Sequence, residues 1–362
     1  MTRYILIALI LISCALMFGQ EKESRLAVKK GGSLTVKITA GDIHLETWEK
    51  DEFLIRYDEE LKIRIEKTGN VITITTSNSE GEDLYIKVPS EFSLDVNTMG
   101  GDITLLNDIK GKIDLVSSGG DIHAGNISGQ VTIATGGGNV SVNNIKGKAV
   151  LTSAGGDMHF GEINGQLKVT TAGGNVSGGS VTGPIVIATA GGSIEIKNLL
   201  GMADVVSGGG DITIGNSSDK IVAKTGGGDV NVKSIAGEGI ITSESGNLTI
   251  KKLTGSVKAK TNGGEIQIGV SSDYKGNSEI MTGSGNVKLE INENANVKII
   301  TKIAGEDISP DRMSDYIRSD FKGPLSVNVN GSFAETVHNI NRADNTIKIK
   351  ITNGQVYLKK TK

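Results

Sequence analysis

The second residue of a Gly-Gly pair, or its equivalent, falls at Gly101, Gly120, Gly138, Gly156, Gly174, Gly192, Gly210, Gly228, Gly246, Gly264 and Gly285. The intervals are one of 19, eight of 18 and one of 21 residues. A sustained period of this length marks a chain built from one repeated supersecondary unit, and it restricts the fold before any local assignment is made.

Aligning the units on that glycine produces apolar columns. Ile113, Val131, Ala149, Leu167, Ile185, Ala203, Ile221 and Val257 form one; Leu115, Ile133, Leu151, Val169, Ile187, Val205, Ala223, Ile241 and Ala259 form another two residues on. Alternation with a period of two predicts a strand. After the glycines, Ile122, Val140, Met158, Val176, Ile194, Ile212, Val230, Leu248 and Ile266 open a second strand, and Ile127, Ile145, Ile163, Val181, Leu199, Ile235 and Leu253 close the unit. A unit this thin cannot bury its apolar face alone, but stacked on its neighbours it builds a continuous core. The expected fold is all-β, a parallel β-helix or β-solenoid of 18-residue coils. Right-handed winding follows from the crossover preference of parallel strands. A left-handed hexapeptide helix is excluded, because it needs small apolar residues every six positions and Ile133 is followed by Asn139.

Composition agrees: 50 of 362 residues are glycine and aromatics are 4%, yet hydrophobic residues still make up 37%. That combination suits a repeat protein with a core better than a disordered chain. The formal charge is -3, so no broad basic field points to nucleic acid.

The ends differ from the middle. Arg3 precedes an apolar run from Tyr4 to Phe18, followed by Gln20-Glu21-Lys22, which predicts a signal peptide over residues 1–20 and an exported protein. Cys14, the single cysteine, sits in Leu11-Ile12-Ser13-Cys14, a lipobox-like context, although Ala15-Leu16-Met17-Phe18 prolongs the apolar run toward a cleavage near Gly19 or Gln20. Cys14 is therefore the candidate lipidation position, and membrane contact is expected only through such an anchor. Residues 21–99 are expected to form N-terminal β coils and a cap, 100–290 the regular solenoid repeats, and 291–362 C-terminal strands, a short helix and a cap. Ser309-Pro310 opens that helix, with Met313, Tyr316, Ile317 and Phe321 on one face, and Thr352-Asn353-Gly354-Gln355-Val356 echoes the repeat turn.

Two polar columns flank the glycines. A hydroxyl three residues earlier (Thr98, Ser117, Thr135, Ser153, Thr171, Thr189, Ser207, Thr225, Ser243, Thr261, Thr282) is in phase with the apolar positions and is expected to point inward as a ladder of side-chain hydrogen bonds. The residue after the glycine reads Asp102, Asp121, Asn139, Asp157, Asn175, Ser193, Asp211, Asp229, Asn247, Glu265 and Asn286. Such side chains favour capping a turn through their own backbone, and neutral residues interleave most of the acids, so a structural turn ladder is expected at Asp102, Asp121, Asn139, Asp157, Asn175, Asp211, Asp229 and Asn247. A calcium solenoid needs Gly-Gly-x-Gly-x-Asp on successive turns, which this pattern lacks.

The sequence Gly41-Asp42-Ile43-His44-Leu45-Glu46-Thr47-Trp48, then Val88-Pro89-Ser90-Glu91-Phe92-Ser93-Leu94-Asp95-Val96 leading into Gly100-Gly101-Asp102-Ile103, resembles the bacterial putative-adhesin family, exported β-strand-repeat proteins. The resemblance covers nearly the whole chain after residue 20 and implies a β-helix-like fold in a surface or envelope setting. It carries over no functional residue.

No catalytic, cofactor or metal residues are assigned. A polysaccharide-acting enzyme would need clustered carboxylates with basic partners; no arginine occurs between Arg64 and Arg312, and Asp211 and Asp229 lie near Lys224 and Lys233 on what reads as a solvated face. His123 and His159 are two coils apart, too far to share a metal. The expectation is a non-enzymatic, adhesin-like interaction protein at the cell surface or outer envelope, binding an unidentified protein or polysaccharide. A periplasmic scaffold or spacer is the alternative.

Overall fold

The computed structural model describes residues 21–76, 81, 83–304, 308–322 and 325–362. Residues 1–20, where the sequence predicts a signal peptide and which include Cys14, lie outside the described residues. The fold is a parallel β-solenoid, and the chain divides into two compact units, residues 1–143 and 144–362.

Within the first unit the regular coils stack in strict register. Ile113–Ser117 pairs in parallel with Phe92–Thr98 and with Val131–Thr135, so that Leu94, Ile113 and Val131 form one inward column and Val96, Leu115 and Ile133 the next. On the second sheet Ile122–Ala124 pairs with Ile103–Leu105 and Val140–Val142. All these inward residues are at most 2% exposed. Alternation alone decides this: in a strand every second side chain faces the same way, and here every second one is apolar.

The first coil in sequence is not the first in space. Gly32–Ile38 lies between Val71–Thr76 and Phe92–Thr98, parallel to both, and Ile43–Trp48 lies between Leu84–Pro89 and Ile103–Leu105. The free edges are then covered by antiparallel strands: Ile63–Thr68 on Val71–Thr76, Glu52–Asp58 on Leu84–Pro89, and Glu21–Ala27 outside that. Antiparallel edge strands end the parallel ladder, which would otherwise offer unpaired backbone to another chain.

The second unit is built from the same kind of coil, with one change. The two short strands Met158–Phe160 and Ile163–Asn164 give way to single strands of six residues at Val176–Val181, Ile194–Leu199, Ile212–Ser217, Val230–Ile235 and Leu248–Leu253. At that step Phe160 faces Gly178; a Cβ there would lie 2.1 Å from the Phe160 ring, so the glycine leaves room for the phenyl group. The 21-residue interval holds Tyr274, 2% exposed, whose hydroxyl lies 2.9 Å from Ser278 Oγ.

The C-terminal coil is also inserted. Asn345–Asn353 runs between Asn277–Ser284 and Val297–Ala304, and Val356–Thr361 between Val287–Asn292 and Ile317–Ser319. Phe333–Ile340 and Ser326–Asn330 close the edge as antiparallel strands. The helical segment is shorter than the sequence spacing suggests: a 3₁₀ turn at Pro310–Arg312, then one turn of α-helix at Met313–Tyr316. Ile317 already pairs with Val356 as strand, because that edge supplies its backbone partners, and Phe321 lies beyond it, edge-on to His338 at 6.1 Å.

Candidate binding surface

The corner that follows each hydroxyl is built from three kinds of contact. Ser117 Oγ donates to the Gly101 carbonyl one coil back at 2.8 Å and accepts the N–H of Gly120 in its own coil at 2.9 Å. Ser207, bridging Gly192 and Gly210, does the same at 2.8 and 2.9 Å. The hydroxyl column is buried, with Ser117 and Ser207 each 1% exposed. It forms its ladder through the backbone, not hydroxyl to hydroxyl, and so satisfies two main-chain groups that the corner removes from water.

The second glycine is required by proximity. A Cβ on Gly120 would lie 2.2 Å from the Gly101 carbonyl oxygen, and one on Gly138 2.1 Å from that of Gly120. Neither has positive φ. The first glycine of the pair is under no such constraint, since Gly119 has open space around its Cα.

The Asp/Asn column, expected from the sequence to cap its own turn, reaches to the next coil. In the first unit Asp42 Oδ1 accepts the N–H of Asp102 (2.8 Å), Asp102 that of Asp121 (2.7 Å) and Asp121 that of Asn139 (2.6 Å). In the second unit Asp157 accepts from Asn175 (2.7 Å), Asn175 from Ser193 (2.8 Å), Asp211 from Asp229 (2.8 Å), Asp229 from Asn247 (2.7 Å) and Asn247 from Glu265 (2.9 Å). In-register stacking places each N–H over the side-chain oxygen of the preceding coil, so the acceptor reaches between coils. Asp42 N–H in turn donates to Asp83 Oδ1 at 3.1 Å, so Asp83, Asp42, Asp102 and Asp121 follow one another with no neutral residue between them. His44 lies beside this end, and donor atoms of Asp42, His44 and Asp83 fall within 4.8 Å of one another, a carboxylate and imidazole set of the kind that suits a divalent transition metal. His123 and His159 are surface residues, His159 Nδ1 lying 2.9 Å from Ser177 Oγ.

Sequence reasoning missed a groove of about 800 Å³ on the outer face of the second unit. Register brings its residues together: Lys258 pairs with Glu279, Glu279 with Lys348, and Lys348 with Ile300, while Lys350 pairs with Lys302 and Thr346 with Lys298. Five lysines, Lys258, Lys298, Lys302, Lys348 and Lys350, line it with three glutamates. Glu279 takes Lys350 at 2.7 Å and Lys258 at 3.7 Å; Glu335 takes Lys302 at 3.1 Å. The hydrogen bond from Lys350, reinforced by the charges of Lys350, Lys258 and Lys348, holds the Glu279 carboxyl below its usual range. Among the described residues Lys298 and Lys348 form no ion pair.

With this geometry in place, residues 23–198 match the Toastrack DUF4097 family. Among solved structures the chain is similar to one described as a putative adhesin from Bacteroides fragilis (12% identity, 94% of this chain and 97% of that one, TM-score 0.25). It is also similar to a putative cell adhesion protein from Clostridium sporogenes (10%, 94% and 100%, 0.18) and to a putative lipid binding protein from Parabacteroides distasonis (12%, 95% and 98%, 0.22). No curated protein matches it.

Proposed function

We propose that this chain, whose residues 23–198 match the Toastrack DUF4097 family, is an exported, non-enzymatic, adhesin-like interaction protein of the cell envelope. Its solenoid presents polar side chains at fixed spacing. The observation that carries the reading is the corner ladder: the Asp and Asn oxygens are spent on the N–H groups of the next coil, for example Asp211 on Asp229 and Asp229 on Asn247. Carboxylates held in this way fix coils in register and keep outward columns such as Lys168, Val186, Asp204 and Val222 in line. A rigid surface loses little conformational entropy on binding, which favours recognition over a long face.

In this reading residues 1–20 direct export, with Cys14 the candidate lipid anchor. Residues 21–99 and 291–362 form the N-terminal and C-terminal coils and caps, and 100–290 display the repeating face. Protease shaving of intact cells tests the location, with a known periplasmic protein as control. Release of peptides from 100–290 while the control stays protected supports surface display; protection of both sinks it in favour of a periplasmic scaffold.

A further inference from the structure

We propose that the lysine-lined groove beside the Asn345–Asn353 strand binds an acidic polysaccharide, its ammonium groups engaging carboxylates on successive sugars. The assignment rests on the interaction-protein reading above and adds the ligand class.

Charge comes first. The chain as a whole is acidic by three charges, yet this groove gathers five lysines against three glutamates. One of those glutamates, Glu238, lies 3.4 Å from Lys220, a lysine that does not line the groove. Glu279 serves Lys350 and Lys258 at once, and among the described residues Lys298 and Lys348 form no ion pair. The surplus is positive, and it faces solvent on the outer side of a sheet.

Spacing comes second. Lysines on neighbouring strands are about 4.8 Å apart at the backbone, and alternate residues along a strand about 6.7 Å. Lys350 lies opposite Lys302, Lys348 opposite Ile300 and Lys298 opposite Thr346, so the four lysines form a staggered array across the two strands, with Lys298 one diagonal step from Lys348. Flexible ammonium groups in this array suit a polymer that carries one charge per sugar, whereas a single tightly held phosphate is better matched by the fixed fork of arginine; no arginine lines the groove.

The lining also discriminates between ligand classes. Val257 and Ile349 are 2% and 0% exposed, so the hydrocarbon that an acyl chain could reach is little more than Ile300. No aromatic side chain lines the groove to stack on a neutral sugar or a base. Ser256, Asn277 and Thr346 supply hydroxyl and amide groups for sugar hydroxyls.

The test uses the chain from residue 21 to 362 and polygalacturonate as the probe, with affinity measured by calorimetry at low ionic strength. Wild type is expected to bind, with affinity falling as salt is raised. Lys298→Glu with Lys348→Glu is expected to weaken binding about tenfold or more, as loss of complementary charges at an interface does. Lys298→Gln with Lys348→Gln should weaken it less, and Lys168→Glu with Lys224→Glu, on the same sheet away from the groove, not at all. Matching thermal melts exclude misfolding as the cause. No binding by wild type, equal binding by the groove variants, or binding to phosphatidylglycerol vesicles or polyphosphate as tight as to polygalacturonate overturns the assignment. Each of those results leaves the shaving outcome untouched, so the ligand class and the surface reading fail separately.

Discussion

The main-chain N–H of Gln355 donates to Asn286 Oδ1 at 3.0 Å, across 69 residues of sequence. This is the rung that 18-residue neighbours make elsewhere, as Asn247 does to Asp229 at 2.7 Å. Gly354 completes the match: a Cβ there would lie 2.1 Å from the Gly285 carbonyl oxygen. The last coil of the chain therefore docks by the same corner chemistry as the repeats, although it arrives after strands that lie farther out.

Replacing Asn286 by Ala removes that acceptor and also the contact from Asn286 Nδ2 to Glu265 at 3.0 Å. The expected cost is about 1 kcal/mol, confined to the inserted coil. Amide hydrogen exchange should show Gln355 losing protection roughly five- to tenfold, while the amide of Val287, bonded to the Gln355 carbonyl at 2.9 Å, keeps most of its own. Unchanged exchange at Gln355 would show that the rung does not hold the coil.

The two glycines of one corner should respond oppositely to the same substitution. Gly120→Ala forces a methyl group to 2.2 Å from a backbone oxygen and must move a coil; it is expected to cost about 2 kcal/mol or more. Gly119→Ala meets nothing within 4 Å and should change stability by less than about 0.5 kcal/mol. Thermal melts of the two variants check this directly, and similar shifts for both would contradict the close-approach account.

Burial pushes the Tyr274 hydroxyl up from its ordinary 10.0 to about 12. The folded chain thus keeps the phenol neutral where the unfolded chain ionises it. The resulting stabilisation is complete below pH 10 and is lost as pH rises toward 12, and it amounts to roughly 2–3 kcal/mol. Tyr274→Phe removes this particular loss: its melting temperature should fall less steeply than wild type's across that window. At neutral pH its unfolding free energy should be lower by about 1 kcal/mol for the hydrogen bond to Ser278. Parallel curves for the two proteins across the alkaline range would place the phenol in water.

The regular coils were legible because each inward position repeats at the same offset from a glycine, and a strand's two-residue alternation permits one inward set only. The hydroxyl column was legible for the same reason. Gly354-Gln355 could be matched to a repeat turn, but its place could not, since nothing in Ile347 or Ile349 states that their strand enters between Asn277–Ser284 and Val297–Ala304. The lysine groove depends on that insertion. Lys258, Lys298 and Lys348 are separated by stretches of 40 and 50 residues, and only the inserted strand makes them neighbours. The inter-coil reach of the Asp/Asn oxygens was hidden too, because a turn and a stack offer the same side chain two equally near donors until the register is known.

In-register stacking is the premise of the ladder, the groove and the rigid face alike, and spin-label distances measure it most directly. Lys168, Val222 and Lys258 stand in one outward column, three and five coils apart along the pairings through Val186, Asp204 and Ile240. Nitroxides on cysteines at 168 and 222, and at 168 and 258, in the otherwise cysteine-free chain 21–362 should give backbone-derived separations of about 14 Å and 24 Å, in proportion to the number of coils. Two distances that do not scale with coil number, or a longer separation for the 168 and 222 pair, would contradict the stack.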